Sequence, residues 1–242
     1  MPKTNAVKSK LSQKVSIDPY QFIDHLFKTP ISAIKGFLEA LISEDCGRIN
    51  SFQREYLLDA LENTKRMSGF VDDFLDISRI EEKQFGLKLG PVALEKIIEQ
   101  TLSELAIWIK ASNSQVEFKK PRKLPKVLTD PEKISLVVQN LISNAVVYKR
   151  KRGEVKINLE QKGKKIIFSC RDNGIGIPKK DFKKVFSKFY RSGEATEIDP
   201  SGAGLRLFIS KAIIELSGGK IWFSKNENNG MTFCFSLPIA KT

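Results

Sequence analysis

The sequence is poor in the residues that build metal centres and disulfide frameworks. It contains one histidine and three cysteines, and the cysteines lie far apart at Cys46, Cys170 and Cys234. Without a CxxC pair or a second histidine, neither a zinc site nor a disulfide scaffold is supported, and we expect reduced thiols in a cytoplasmic protein. No hydrophobic run approaches the roughly 18 apolar residues of a membrane span, and no signal-peptide pattern is found.

Tryptophan and tyrosine, which stack on nucleic-acid bases, are also scarce, although the chain is strongly basic. The net charge is +13, with lysines and arginines clustered in 119–126, 149–152 and 179–191. Nucleic acid, an anionic lipid surface, an acidic partner or a phosphorylated substrate would each suit this charge. With only two tryptophans and four tyrosines, nucleic-acid binding is supported by charge alone, and we expect solvated lysine faces instead.

The single histidine, His25, lies in an amphipathic helical pattern that also contains a proline. Apolar residues recur at helical spacing along this pattern, at Phe22, Leu26, Ile34, Phe37 and Leu41. Pro30 has no N–H to donate, so we expect a kinked helix at a cost of roughly 3 kcal/mol. A proline retained so close to the sole imidazole indicates a functional site, with an inert surface histidine as the alternative.

The first third of the chain predicts an antiparallel helical hairpin. One helix is expected over residues 18–43, and a second follows a capping box made by Asn50 and Gln53. The second helix has an apolar seam with the average spacing of a coiled coil, at Leu57, Ala60, Thr64, Met67, Val71, Phe74 and Ser78. A lone hairpin buries little apolar surface, so we expect two copies to form a homodimeric four-helix bundle.

Beyond Gly86, Gly90 and Pro91 the pattern changes to mixed helices and strands. Helices are predicted over 94–109, 131–147 and 204–216, and strands over 116–118, 154–159, 164–170, 220–224 and 231–237. Because helices and strands fall into separate layers, we predict a multidomain protein whose second part is an α+β sandwich. The predicted divisions are a flexible lead-in at 1–17, the hairpin at 18–88 and the sandwich at 89–242.

Two motifs in the sandwich carry polar groups that could hold a nucleotide. Asn140 and Asn144 share one helix face beside an apolar stripe, so a buried amide there needs either a hydrated magnesium ion with phosphates or backbone groups. Asp172 ends a strand and could accept a hydrogen bond from an exocyclic amine. Gly174 and Gly176 behind it let the backbone approach a flat ring, although Asp-Asn-Gly is also an ordinary turn.

A third motif, Gly202-Ala203-Gly204, opens a predicted helix. The free N–H groups and positive dipole of a helix start suit a phosphate group. A glycine pair alone is a weak signal, but an asparagine pair, a glycine-flanked aspartate and a glycine-rich helix start in this order form a stronger one.

Taken together, the motifs resemble the catalytic core of sensor histidine kinases from about residue 18 onward. Six segments carry the resemblance: the phosphoacceptor box 25–30, the end of the second dimerisation helix 74–81, the asparagine box 140–145, the first glycine box 172–178, the phenylalanine box 186–191 and the second glycine box 202–207. The resemblance implies a Bergerat-type ATP-binding domain at 89–242 and a dimerisation and histidine phosphotransfer domain at 18–88.

The same resemblance implies a reaction and two catalytic residues. His25 would accept the γ-phosphoryl group of ATP and pass it to an aspartate of a response-regulator receiver. Thr29, one turn later, would be available to position a water molecule.

It also implies the residues that hold ATP and Mg²⁺. Asp172 would accept from the adenine amine while Gly174 and Gly176 line the base, and Asn144 would hold magnesium. The remaining residues expected near the nucleotide or its phosphates are Asn140, Tyr148, Gly202, Gly204, Leu205 and Arg206. A mobile lid is expected over 192–201.

Two residues depart from the family pattern. The acidic or amide residue that usually follows the phosphoacceptor is replaced by Leu26, and Asp24 is rotated about 200° from that position on a helix. Arg206 stands where a small residue is common, and it either reaches the phosphates or the lid, or points to solvent. We therefore expect slower autophosphorylation and less receiver dephosphorylation, and a degenerate kinase that acts as a nucleotide-binding dimeric scaffold is the alternative function.

Overall fold

The computed structural model describes residues 19–121, 123–227 and 230–241, with side-chain detail from residue 23. The lead-in predicted at 1–17 lies outside the described residues. Contacts between Cα atoms divide the chain into two compact units, with the division between Leu75 and Asp76. The domain boundary predicted at 88 and 89 stays a prediction.

The first unit is built from two helices, as predicted. Helix α1 (Pro19–Ile42) continues through Pro30, and helix α2 (Ser51–Glu81) begins beyond a short turn. The predicted capping box is present, because the Gln53 amide N–H donates to Asn50 Oδ1 at 2.8 Å and the Asn50 N–H donates to Gln53 Oε1 at 2.9 Å. These two bonds satisfy donors that the start of a helix otherwise leaves free.

Arg54 fixes the turn that joins the two helices. Its guanidinium donates to the Ile42 carbonyl at 3.1 Å and to the Glu44 carboxylate at 2.7 Å. The last turn of α1 leaves carbonyl groups without helical partners, and Arg54 satisfies one of them. The connection is therefore held by side chains from both of its ends.

The second unit contains two sheets. Its strands in chain order are β1 (Gly90–Val92), β2 (Ser114–Lys119), β3 (Val127–Thr129), β4 (Gly153–Lys162), β5 (Lys165–Asp172), β6 (Lys220–Lys225) and β7 (Met231–Pro238). Five of them form a mixed sheet in the order β2-β4-β5-β7-β6, in which only β2 and β4 pair in parallel. Strands β1 and β3 pair by themselves.

Helices form the second layer of this unit. They are α3 (Leu94–Ala111), α4 (Pro131–Val147) and α6 (Arg206–Leu216), while the short helix α5 (Gly193–Ile198) lies in the loop before α6. Helix α4 contacts β4 and β5, α6 contacts β6 and β7, and both helices contact each other. The predicted sandwich, with one layer of helices on one sheet, is therefore confirmed. The sheet is mixed, with one parallel pair of strands.

The core of the second unit lies between the sheet and these helices. Strand β4 buries alternate residues, Val155, Ile157 and Leu159, and exposes those between them, as expected of a sheet with one covered face. Across the centre of the core, the rings of Phe168 and Phe235 stack with centroids 4.7 Å apart. This packing holds the strand that ends at Asp172.

The start of α4 also follows the prediction. Asp130 is the N-cap, and its Oδ1 atom accepts from the N–H groups of Glu132 at 3.0 Å and Lys133 at 3.1 Å. Pro131 occupies the first helical position, where its missing N–H costs nothing. The N-cap therefore fixes the start of α4, the helix that carries Asn140 and Asn144.

Candidate functional site

Asp172 stands at the end of β5 with one carboxylate oxygen already bound by the protein. Its Oδ1 atom accepts from the backbone N–H of Gly174 at 2.8 Å and of Met231 at 3.0 Å, and its carbonyl accepts from Asn226 Nδ2 at 2.9 Å. No hydrogen bond reaches Oδ2 from the described residues. The carboxylate is thus held in one orientation with a second acceptor available to a ligand.

The environment of Asp172 also changes its proton affinity. Burial raises the pKa of Asp172 above its ordinary value, because the charged form loses hydration. The two backbone N–H donors at Oδ1 act in the opposite direction and offset part of that rise.

Glycine is favoured at positions 174 and 176, after Asp172, for two different structural reasons. A Cβ atom at Gly174 would lie 2.5 Å from the carbonyl oxygen of Tyr148 and 2.9 Å from Asp172 Oδ1, so a side chain is excluded there. Gly176 has a φ of 80°, a conformation that other residues adopt at a cost. Because the Ile175 N–H donates to the Tyr148 carbonyl at 3.0 Å, this loop is joined to the end of α4.

The two asparagines of α4 have different partners. Asn140 is buried, and its Nδ2 donates to Ser210 Oγ on α6 at 3.3 Å; Ser210 in turn donates to the carbonyl of Arg206 at 2.7 Å. Asn144 is half-buried, and within the described part of the chain its side chain makes no hydrogen bond. The Asn140 amide is therefore satisfied by another side chain of the protein. The amide oxygen of Asn144 remains available to a ligand.

The second glycine pair packs against Tyr190 and Arg191, which precede the predicted lid, and against Asp199 inside it. A Cβ atom at Gly202 would lie 2.9 Å from Asp199 Oδ2 and 3.1 Å from Arg191 Cζ. Gly204 has a φ of 69°, and a Cβ atom there would lie 2.8 Å from the carbonyl of Tyr190. Backbone packing and the positive φ require glycine at 204 whether or not a phosphate approaches, whereas at 202 the near atoms are side-chain ends that can shift.

The last two predicted nucleotide residues follow directly. The side chain of Leu205 is only 1% exposed and belongs to the core, so only its backbone can meet a ligand. Arg206 is the first residue of α6 and is exposed, and it has no ion pair within the described residues. Its exposure agrees with the alternative in which Arg206 points to solvent, and its approach to phosphates or the lid stays a prediction.

Sequence reasoning missed the role of Arg191, which it treated only as the last residue of the phenylalanine box. The guanidinium donates to the carbonyls of Gly202 at 2.8 Å and Ala195 at 2.7 Å, and also to that of Asp199. The segment between them contains the short helix α5, whose N-cap Ser192 accepts from the Ala195 N–H at 3.2 Å. An arginine directly before a glycine-containing loop was the available signal.

In the first unit, His25 is exposed on α1, and so are Leu26, Phe27 and Thr29. No hydrogen bond or ion pair reaches the His25 imidazole from the residues that the structure describes. The nucleophilic nitrogen atoms of the ring are therefore open to a reactant.

The acidic residue before His25 has a different partner. Lys28 Nζ lies 2.8 Å from Asp24 and 2.7 Å from Asp72 on α2. The hydrogen bond that Lys28 donates to Asp24, and then the one it donates to Asp72, raise the pKa of Lys28. Asp24 thus binds Lys28, in line with the expectation that it does not replace the missing acidic residue at Leu26.

The hairpin exposes many large apolar side chains. They are Leu26, Phe27, Ile34, Phe37, Leu41, Phe52, Tyr56, Leu58, Met67, Phe70 and Phe74. Single exposed apolar residues are normal, but a set of this size on two helices indicates a surface that another protein covers.

The described residues contain neither a cluster of metal-binding side chains nor a membrane-spanning helix. No group of three or more histidine, cysteine, aspartate or glutamate side chains is placed to bind a metal ion there. No helix among them has the length and apolar character needed to cross a membrane.

Family models match both parts of the chain. Residues 22–83 match the His Kinase A (phospho-acceptor) domain, and residues 129–241 match the histidine kinase-, DNA gyrase B- and HSP90-like ATPase domain. The chain therefore combines a HisKA domain with a HATPase_c domain and is homologous to the sensor histidine kinases.

Individual relatives agree with this assignment. The chain is 32% identical over 222 residues to the sensor histidine kinase WalK of Bacillus subtilis, a match that covers 89% of this chain and 35% of WalK. It is 28% identical to the circadian input-output histidine kinase CikA of Synechococcus elongatus, covering 89% and 29% respectively. The chain thus spans about a third of the length of these relatives.

Solved structures show the same fold. Full-length ShkA in complex with AMPPNP matches with a TM-score of 0.76 at 22% identity, over 93% of this chain and 46% of ShkA. The catalytic domain of the histidine kinase ThkA matches with a TM-score of 0.56 at 28% identity, over 64% of this chain and 99% of that domain.

Proposed function

We propose that the chain is an ATP-dependent protein-histidine kinase that phosphorylates His25 and passes the phosphoryl group to an aspartate of a response-regulator receiver. The observation that carries this proposal is the exposed imidazole of His25, the sole histidine, inside the segment that matches the phospho-acceptor domain. The homologous sensor histidine kinases support the same chemistry.

Asp172 is the proposed adenine-recognition residue. Its Oδ2 atom has no bond from the described residues and can accept from the exocyclic amine of adenine, while Oδ1 keeps the carboxylate in place. Gly174, Gly176 and the backbone of Tyr148 form the adjoining loop against which the base would lie. The complex of the similar protein ShkA with AMPPNP supports an adenine nucleotide as the ligand.

Asn144 is the proposed protein ligand of Mg²⁺. Magnesium prefers hard oxygen ligands and keeps several waters, so one amide oxygen together with nucleotide phosphates fits its requirements. The absence of a three-residue acidic cluster among the described residues is compatible with this mode of binding. Asn140, which bonds Ser210, would hold α4 and α6 in register instead of meeting the metal.

The phosphates are proposed to meet the start of α6. The N–H groups near Gly202, Gly204 and Leu205 precede the first helical turn, where the positive end of the helix dipole favours an anion. Arg206 follows them and adds an exposed positive charge. Its expected part is to neutralise phosphate charge.

In the transfer step, the lone pair of an imidazole nitrogen forms a bond to the γ-phosphorus. The bond from that phosphorus to the bridging oxygen breaks, ADP leaves with the electron pair, and the imidazole loses its N–H proton. Catalysis of such a step depends on positioning and charge neutralisation. Leu26 cannot accept the proton, so water must take it, and we expect a slow reaction.

Thr29, exposed one turn later, is proposed to position water during receiver dephosphorylation.

The proposed assembly is a homodimer formed through the hairpin. The exposed apolar residues of α1 and α2 supply a surface that a second copy would cover, and the HisKA match supports dimerisation. The receiver of a response regulator is the proposed second partner.

The alternative is a degenerate kinase that binds nucleotide, dimerises and acts as a scaffold. Leu26 and Arg206 favour it, since both depart from the family pattern at the phosphoacceptor and at the phosphate-facing helix. It differs from the first proposal in one measurable property, which is transfer of label.

Incubation of the purified protein with Mg²⁺ and ATP labelled at the γ-phosphate separates the two. Acid-labile, alkali-stable label that is lost in His25→Gln supports the kinase. Nucleotide binding without label supports the scaffold, and salt-sensitive duplex DNA binding that ignores ATP would contradict both. Glu62→Gln, an exposed change in the same hairpin, serves as a control that retains the phosphoacceptor.

A further inference from the structure

Arg191 is the last residue of the basic cluster 179–191, and its guanidinium bonds to backbone carbonyl groups. Its side chain is only 12% exposed. It donates to the carbonyls of Ala195, Asp199 and Gly202, and the Asp199 carboxylate lies 4.0 Å from Nη2. Three backbone acceptors from one loop therefore surround a single planar donor.

These bonds determine the direction of a neighbouring N–H group. In a trans peptide the C=O of one residue and the N–H of the next point in opposite directions. The bond from Arg191 to the Gly202 carbonyl at 2.8 Å therefore directs the Ala203 N–H away from the guanidinium. That N–H belongs to the glycine segment that precedes α6.

The two glycines of this segment are adapted to the arginine. A Cβ atom at Gly202 would lie 3.1 Å from Arg191 Cζ, and one at Gly204 would lie 3.0 Å from Arg191 Cγ. Gly193, in the same loop, has nothing within 4 Å of such an atom. Among the glycines of this region, those that a side chain would bring against Arg191 are thus Gly202 and Gly204, in the segment that Arg191 orients.

We propose that Arg191 is a positioning residue that holds the loop 192–202 in one conformation and orients the Ala203 N–H toward nucleotide phosphates. Its planar fork acts by bonding several carbonyls at once, which a lysine ammonium on a flexible stem reproduces poorly. The part of this inference that concerns phosphates rests on the proposed function. The part that concerns the loop does not.

The test compares Arg191→Lys and Arg191→Met with two matched controls in the full chain. Lys184→Met removes one exposed positive charge from the same region, and Gly193→Ala changes the loop at a position with free space. Gly202→Ala is a second probe, because its methyl group would lie 2.9 Å from Asp199 Oδ2 and 3.1 Å from Arg191 Cζ, so both side chains would have to shift. It keeps the test decisive if an Arg191 variant does not fold.

Amide hydrogen exchange without nucleotide provides the first readout. The N–H groups of Thr196, Asp199 and Gly202 are hydrogen-bonded within the loop. We expect their exchange to accelerate about tenfold or more in Arg191→Lys, Arg191→Met and Gly202→Ala, given the strength of bonds to a charged donor. Amides of β5 and both controls should be unchanged.

Nucleotide affinity provides the second readout. We expect the affinities for ATP and ADP to fall about tenfold in the Arg191 variants, while adenosine, which lacks phosphates, binds within about twofold of the wild type. A purely structural role would weaken adenosine equally. Unchanged loop exchange in Arg191→Met, or wild-type behaviour in Arg191→Lys, would overturn the inference.

The two proposals can fail separately. If the wild-type chain binds no nucleotide, the proposed function fails, and faster loop exchange still establishes Arg191 as the residue that holds the loop. If the wild type binds ATP and the Arg191 variants bind it equally well with an opened loop, the orienting role is overturned while the proposed function stands.

Discussion

Lys133 on α4 and Asp76 near the end of α2 form a largely buried ion pair. The Lys133 ammonium lies 2.9 Å from Oδ2 and 3.2 Å from Oδ1 of Asp76, and it also lies 4.8 Å from the centroid of the Phe85 ring. Both residues belong to the second compact unit. The last turns of α2 are therefore attached to the helix that carries Asn140 and Asn144.

Removal of one partner should destabilise this unit. Asp76→Ala leaves the ammonium with less charge compensation, and we expect a loss of about 1–3 kcal/mol in the free energy of unfolding, below the range for a fully enclosed pair. Chemical denaturation measures this loss. The double variant with Lys133→Met should lose less than the sum of the two single changes, and strict additivity would show that the pair contributes no coupling.

Asp172→Asn should separate folding from nucleotide binding. The amide oxygen can still accept from Gly174 and Met231, but an N–H₂ group replaces the Oδ2 acceptor. We expect native-like thermal unfolding and at least about a hundredfold loss of ATP affinity, because two donors would face each other at the adenine amine. Calorimetric titration with ATP measures it, and retained affinity would remove Asp172 from the site.

The proton affinity of Asp172 predicts how binding depends on pH. Burial raises the pKa of this carboxyl, so the folded protein takes up its proton at a higher pH than the unfolded chain. A protonated carboxyl donates where adenine needs an acceptor, so ATP affinity should be full above the raised pKa and fall as pH decreases through it. The phosphates of ATP also change their protonation with pH, whereas adenosine has none. The affinity for adenosine, measured across the same pH range, therefore reports the carboxyl of Asp172 alone and should show the same fall.

The same shift predicts a trend in stability. Ionisation of Asp172 costs the folded state free energy, and this cost is absent below the unfolded pKa and complete above the folded pKa. The stability of the wild type relative to Asp172→Asn should therefore decrease as pH rises between these two values. A constant difference across that interval would contradict the shift.

Leu26→Glu should accelerate autophosphorylation. Leu26 is 53% exposed on α1, so a glutamate there does not enter the core, and light scattering should show that this variant and its control assemble as the wild type does. A carboxylate next to His25 can take the imidazole proton, and we expect a gain of about ten- to hundredfold in the initial rate of label incorporation. Phe27→Glu, at an equally exposed neighbour, is the control; an equal gain there would show that added charge, not proton transfer, is responsible.

Much of the fold could be predicted because local signals specify it. The Asn50–Gln53 capping box, the Asp130–Pro131 helix start and the turn at Gly163 each depend on residues next to one another in sequence. Helical and alternating periodicity then placed the long elements to within a few residues. The predicted strand over 116–118, for instance, runs from Ser114 to Lys119.

What could not be predicted depends on pairing between distant residues. Strands β1 and β3 have three residues each and pair with one another. Three residues are too few to show an alternating pattern, so the sequence does not predict these strands. The parallel alignment of β2 with β4 is likewise a tertiary choice. These features arise from contacts that a local pattern does not contain.

The candidate site divides in the same way. Asp172 and its glycines are contiguous, so their spacing was informative. Asn140 bonds a serine 70 positions away, and Arg191 bonds carbonyl groups, which every residue possesses. Backbone acceptors leave no mark in the sequence, which is why the partners of Arg191 were found only in the structure.

The central claim is that the nucleotide held at Asp172 gives its terminal phosphoryl group to His25. Mass spectrometry at neutral pH, after incubation with Mg²⁺ and ATP, can locate phosphate on the peptide that contains His25. We predict phosphate on His25 in the wild type and its loss in Asp172→Asn. Phosphate on another residue, or undiminished phosphate on His25 in that variant, would contradict the account.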